Sequence, residues 1–199
     1  MYLFPPKIYF MKRITLTLCA ILLLTTAKNL NAQDDATKAY MDFMTPGAMH
    51  KWLAKYNGNW EVEITSYMNP AAPEKSTGTG IYSSIMNGLY QSGDFKSTMM
   101  GMPFQGHSIT GYDNAKKQFV STWVDNFGSG IIYMTGTYDE ATKTLNLKGT
   151  QTDPLSGKDS WIRQEMKIVN DDTYNLMMYG PAPDGKEMLF MSGVFKRKK

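Results

Sequence analysis

From residue 59 onward, apolar and polar side chains alternate in short runs, and each run is closed by residues that favour a reversal of the chain. In the segment KTLNLKGTQ, Leu145, Leu147 and Gly149 share one face while Thr144, Asn146, Lys148 and Thr150 take the other. That period of two belongs to a half-buried strand. The same reading predicts strands near 59–68, 78–86, 89–98, 104–112, 117–125, 130–138, 143–151, 159–169, 172–180 and 187–197. The punctuation between them has a physical basis. Asn87-Gly88 and Asp184-Gly185 accept positive φ, and Asp113-Asn114, Asp139-Glu140, Asp153-Pro154 with Gly157, and Asn170-Asp171-Asp172 mark further turns. Short strands with hairpin-length links predict an all-β, antiparallel up-and-down sheet. Closing it into a barrel removes the exposed edges. Ten strands make the barrel wider than eight and favour an interior cavity. Three segments, GIIYMTGTY, DSWIRQEM and MLFMSGVF, carry apolar residues at both parities, which predicts that part of the outer surface is covered.

One helical pattern precedes the strands. In TPGAMHKWLAKYNGNW (45–60), Met49, Trp52, Leu53 and Tyr56 fall at i, i+3, i+4 and i+7, a single apolar stripe. Thr45 is the expected N-cap, Pro46 the first helical residue and Gly58 the stop. The stripe makes this helix a cover for one end of the barrel. Residues 33–44 (QDDATKAYMDFM) read as a loosely ordered tether, and no second helix is expected.

Composition changes this picture mainly at the N-terminus. The chain has 199 residues, 42% of them hydrophobic and 13% aromatic, enough for one domain with a substantial core. Its formal charge of +3 is misleading: Lys7, Lys12, Arg13 and Lys28 lie in a leader without acidic residues, and removing them leaves 17 basic against 18 acidic. The pI near 8.8 is therefore no argument for nucleic acid. Met11-Lys12-Arg13 reads as a basic n-region and Ile14–Leu24 as an apolar h-region, with cleavage edges at Ala27 or Ala32. Residues 1–32 are thus an upstream extension plus secretory signal peptide, with Met11 as the expected start. The apolar run of 11 residues is too short to span a bilayer. The single cysteine, Cys19, lies inside it, so the exported chain is expected to lack disulfides and thiolate sites. The organisation expected is 1–32 leader, 33–44 tether and 45–199 barrel domain, in the periplasm or outside the cell.

Gly58-Asn59-Trp60 after a short helix resembles the glycine–any–tryptophan signature that opens the first strand of lipocalins and related calycin barrels. In those folds a basic residue near the end of the last strand packs over the tryptophan, a part that Lys196 or Arg197 is placed to take. A longer ordered series runs from His50 and Leu53 through Gly101-Met102-Pro103-Phe104-Gln105-Gly106, Gly111-Tyr112-Asp113 and Trp123-Val124-Asp125 to Asp153-Pro154, Gly157-Lys158, Arg163, Asp184-Gly185-Lys186-Glu187 and Arg197. This series resembles the bacterial family known as domain of unknown function 1579, over residues 45–198. The resemblance implies a calycin-like barrel and supplies no catalytic residue. Trp52, Gly58, Trp60 and Arg197 form its structural signature.

The candidate chemistry is sparse. Fourteen methionines fall in residues 33–199, including Met99-Met100-Gly101-Met102 and Met177-Met178, with Met188 and Met191. Thioethers can hold Cu(I), but Met is also the adaptable filler of apolar cavities. Adjacent methionines on a strand point to opposite faces, which favours core or cavity lining over metal. His107 is a candidate haem ligand and competes with an ordinary sheet histidine. Arg163 shares parity with Trp161 and Glu165; facing inward it would hold a ligand carboxylate, and facing outward it would pair with Glu165. Asp125 suits a carboxylate at the rim that caps a turn. Two apparent motifs fail. Gly180–Lys186 has the spacing of a phosphate loop but two prolines and Glu187 in place of Ser or Thr, and Gly106–Gly111 lacks the glycine spacing of a nucleophile elbow. The expectation is a small apolar or amphipathic ligand in the cavity, touched by Arg163, Trp123, Tyr133, Met134, Met178 and His107, without cofactor, metal or catalytic set. Haem or Cu(I) binding, a fully packed structural barrel, and an enzyme built on Asp125, His107 or Arg163 remain as alternatives.

Overall fold

The computed structural model describes residues 33–199. The leader, with its proposed start and cleavage edges, lies outside the described residues. The chain divides into two units at Met44/Thr45. Of the first, residues 33–44 are helical (α1), which corrects the reading of a loose tether and of a chain without a second helix. Lys38 and Asp42 pair one turn apart on it at 2.5 Å, and Ala, Lys and Met are good helix formers. The expectation failed because the segment carries no apolar stripe as regular as that of the next helix.

The second unit opens with α2 (Ala48–Ala54), followed by β1 (Gly58–Ser66), β2 (Glu74–Ile85), β3 (Tyr90–Met99), β4 (Met102–Asp113), β5 (Gln118–Asp125), β6 (Ile132–Asp139), β7 (Thr144–Thr152), β8 (Asp159–Asn170), β9 (Thr173–Pro181) and β10 (Glu187–Arg197). Each strand pairs antiparallel with its sequence neighbours, and β10 returns to β1, closing the barrel. The closing register sets Trp60 opposite Arg197 and Val62 opposite Phe195. Both margins of the sheet are thereby hydrogen-bonded, so no strand edge is left open.

Parity then decides burial. Trp60, Val62 and Ile64 of β1, Leu145 and Leu147 of β7, and Ile162 of β8 are all 5% exposed or less, while the residues between them face out. The apolar residues at the opposite parity are left uncovered: Ile131, Tyr133 and Trp161 are 66, 49 and 37% exposed. This corrects the expectation of a covered outer surface. The helix covers an end of the barrel, as its apolar stripe predicts.

That end is built by α2. Trp52 meets Phe119 and Tyr56 edge-on and Tyr138 at a tilt, with ring centroids 5.3, 5.1 and 4.5 Å away, and it enters the core together with Leu53 and Tyr56. The start of the helix differs from the sequence reading. The N-cap is Gly47, not Thr45, and its N–H donates to Nδ1 of His50 at 3.0 Å. A ring nitrogen three residues on thus does the capping, and Thr45 is left to accept a hydrogen bond at its carbonyl from Asn114 Nδ2. Nor does Gly58 terminate the helix, whose C-cap is Lys55; Gly58 begins β1 with φ +121°, where a Cβ would lie 2.9 Å from Arg197 Nη1.

Arg197 resolves the choice between the two basic residues at the end of β10. Its guanidinium lies 4.5 Å from the Trp60 ring centroid, a cation–π contact. Nε donates to Asp172 Oδ1 at 2.9 Å, and Nη1 and Nη2 donate to the carbonyls of Asn57 and Lys55 at 2.5 and 2.7 Å. Lys196, one residue earlier and at the opposite parity, pairs with Glu63 on the outer face.

Candidate functional site

The inward side chains do not fill the barrel. They leave a cavity of about 350 Å³ between the aromatic floor at α2 and the opposite end. The floor is Leu53, Tyr56 and Tyr174. One wall, from β7 to β10, is chiefly apolar, with Leu147, Ile162, Met166, Leu176 and Met178, and carries the amides of Gln151 and Gln164. The facing wall, from β2 to β5, is more polar, with Tyr82, Gln91, Ser108, Thr110 and Ser121.

Several polar groups of the second wall are held by partners within it or at the end of α2. Thr110 and Ser121 hydroxyls lie 2.9 Å apart. Gln91 Nε2 donates to the Leu53 carbonyl and to Asn57 Oδ1 at 3.1 and 2.9 Å, tying β3 to the end of α2. Burial pushes the Tyr82 hydroxyl up to about 12 and the Tyr174 hydroxyl well above the usual phenol range. Both are neutral hydroxyl groups at any physiological pH. No side-chain N or O atom among the described residues is buried without a partner, so this polarity costs little.

At the end away from α2, Phe95, Phe104, Trp123 and Phe127 form an aromatic rim. Phe104 and Trp123 are stacked at 6.4 Å, and Phe127 meets Phe104 edge-on at 5.2 Å. Gly106 seats the indole: a Cβ there would come within 2.1 Å of the Trp123 ring. Trp123 Nε1 donates to Asp125 Oδ2 at 2.8 Å, and the Phe127 N–H donates to Oδ1 of the same carboxylate at 2.9 Å. Asp125 is thus the turn-capping rim carboxylate expected from the sequence, and it also fixes the orientation of Trp123.

Of the six expected ligand contacts, Trp123, Met134 and Met178 line the cavity. The other three do not, and each is corrected by strand parity. Arg163 lies between the inward residues Ile162 and Gln164, so it faces outward. There its guanidinium bonds Glu165 and Glu187 and sits 3.8 Å from the Tyr179 ring centroid. Tyr133 precedes the inward Met134 and is half exposed. His107 lies between Gly106 and Ser108 on the outer wall, where Nδ1 is 2.9 Å from Asp94 Oδ1 in a shallow groove lined also by Lys96, Gln105 and Val124. A haem inside the barrel therefore finds no axial ligand in His107. Met177 likewise faces outward and accepts a hydrogen bond from the Tyr179 hydroxyl at 3.5 Å, while Met178 faces in. Among the described residues no three His, Cys, Asp or Glu side chains gather as a metal site, and no helix is long and apolar enough to cross a membrane.

The polar wall escaped the sequence reading. Ser108, Thr110 and Phe104 do share one parity in the sequence. Which parity faces inward is settled only by the neighbouring strands, through Ser108 opposite Trp123 and Thr110 opposite Ser121.

Comparison with solved structures places the barrel among calycin-like folds. Rv2717c from M. tuberculosis superposes with a TM-score of 0.60 at 11% identity, over 78% of this chain and 100% of that one. The S-type phycobiliprotein lyase CPES from Guillardia theta superposes with a TM-score of 0.54 at 9% identity, over 77% of this chain and 94% of that one. At such identities the likeness is one of fold. Comparison with curated proteins gives no match. The family model described as "Protein of unknown function (DUF1579)" matches residues 45–197, and the chain belongs to that family.

Proposed function

We propose that this protein is an exported binding protein that takes a small apolar or amphipathic molecule into its barrel. The observation that carries the reading is the cavity: about 350 Å³, chiefly apolar, floored by aromatics at one end and rimmed by aromatics at the other. That volume falls within the usual range of small-molecule sites, roughly 300–1,000 Å³. One structural neighbour at the level of fold is a phycobiliprotein lyase, which is consistent with a small-molecule role but supplies no ligand. Export is supported by the basic and apolar segments Met11–Leu24 and the small residues Ala27 and Ala32 that follow.

Intact and native mass spectrometry of freshly purified protein, produced with its leader, tests both parts. The expected result is a mature chain beginning after Ala27 or Ala32 and a released organic compound of low polarity. A chain that retains Cys19 overturns export. A protein that carries nothing and takes up no apolar probe overturns ligand binding.

A further inference from the structure

The cavity reading can be taken one step further, to the charge of what it holds. Among the described residues lining it, Asp125 is the only charged side chain, and it stands at the rim. The remaining polar lining groups, among them Gln91, Ser108, Thr110, Ser121, Gln151 and Gln164, are all uncharged. The cation that could have compensated a ligand carboxylate, Arg163, is on the outside and already neutralised by Glu165 and Glu187. An anionic group drawn into this interior would lose its hydration without gaining a counter-charge. Held at the rim, it would face the Asp125 carboxylate. A neutral oxygen or nitrogen meets the hydroxyls of Ser108, Thr110 and Ser121 on one wall and the amides of Gln151 and Gln164 on the other, and a cation meets Asp125, whose geometry is fixed by Trp123 and Phe127.

We propose that the barrel selects amphiphiles by head-group charge, accepting neutral and cationic ones and rejecting fatty anions. This rests on the reading of the cavity as a ligand site. The size is informative too: at about 30 Å³ per water-sized group, 350 Å³ accommodates on the order of ten such groups, so medium-length chains are the suitable probes.

The test is isothermal titration calorimetry of the purified, delipidated protein with decanol, decylammonium and decanoate at neutral pH, each below its micelle concentration. Decanol and decylammonium are expected to bind, and decanoate at least tenfold more weakly than either. Lowering the pH until decanoate becomes the neutral acid should bring its affinity up to that of decanol, a measurement that needs no variant. Asp125→Asn should narrow the gap between decylammonium and decanoate. If decanoate binds at neutral pH as tightly as decanol, charge selection is overturned while the cavity remains a ligand site. If none of the three binds, the cavity reading falls, and charge selection with it.

Discussion

At the scale of single residues, Arg197 has the widest reach. Its five donors and flat face suit it to hold Asp172, the carbonyls of Lys55 and Asn57, and the Trp60 ring together; a lysine has a point charge and no plane. Arg197→Ala should therefore destabilise the barrel by about 2–4 kcal/mol, given roughly 1.5–3 kcal/mol for hydrogen bonds to charged groups and 0.5–2 for a cation–π contact that overlap in one side chain. Arg197→Lys should recover less than half of that in urea unfolding. His50 makes a prediction of opposite character. It is 3% exposed, its Nδ1 accepts the Gly47 N–H, and burial holds its pKa below the ordinary 6.5. The unfolded chain then binds the proton more readily, so stability rises with pH across the interval. The contribution is fully present above about 6.5 and is lost as pH falls through the depressed folded value. His50→Gln, which retains an acceptor and does not titrate, should flatten the urea midpoint over that window. An unchanged slope would show that other groups produce it.

Elements are held by close approach of backbones as much as by side chains. Strands β6 and β7 pass so near at Gly136 that a Cβ there would lie 1.8 Å from the Asn146 carbonyl oxygen. Backbone in the middle of a ladder cannot rotate away as a side-chain tip can. Gly136→Ala should accordingly cost about 3 kcal/mol or more, at the upper end for overpacking, read as a fall in soluble yield and urea midpoint. An alanine accommodated with less than half that loss would mean the strands can separate locally. The helix α2 belongs to the same scale. Its stripe, Trp52 and Leu53 with Tyr56 just beyond its end, is buried against the barrel, and the Gln91 amide ties its C-terminal end to β3.

For the molecule as a whole, closure is the decisive event. Pairing of β10 with β1 makes one face of every strand an interior, and the ten-strand circumference leaves that interior incompletely filled. Met178→Trp should occupy part of the cavity from the apolar wall. Room is present, so the melting temperature is expected to stay level or rise, in contrast to the usual cost of about 1–3 kcal/mol for enlarging a core residue. Decanol affinity should meanwhile fall more than tenfold. Loss of stability with binding intact would show that the space near Met178 is smaller than about 350 Å³ suggests.

Most of the fold was legible in the sequence because it rests on local rules. Alternation set the ten strands to within a few residues, turn residues such as Asn87-Gly88 and Asp184-Gly185 set the reversals, and hairpin-length links left an up-and-down order as the natural one. Trp52, Gly58, Trp60 and Arg197 came to notice through the resemblance to calycin barrels, which left Lys196 and Arg197 as alternatives; the choice of Arg197 and the place of Gly58 at the start of β1 belong to the tertiary structure. What depends on contacts between distant strands was not legible. Parity groups residues onto two faces but does not label them inner and outer, so Arg163, Tyr133 and His107 could be read inward until β-pairing turned them out, and Ser108, Thr110 and Ser121 went unnoticed as the polar wall. The cap of α2 was equally beyond reach, because a histidine ring three residues into the helix took the place of the expected threonine. The sequence alone determined the alternating faces and where the chain turns, both set by neighbours along the backbone. The tertiary structure alone decided which face meets the interior, how much space is left there and that its lining, among the described residues, holds a single charge, since these belong to side chains brought together only when β10 meets β1.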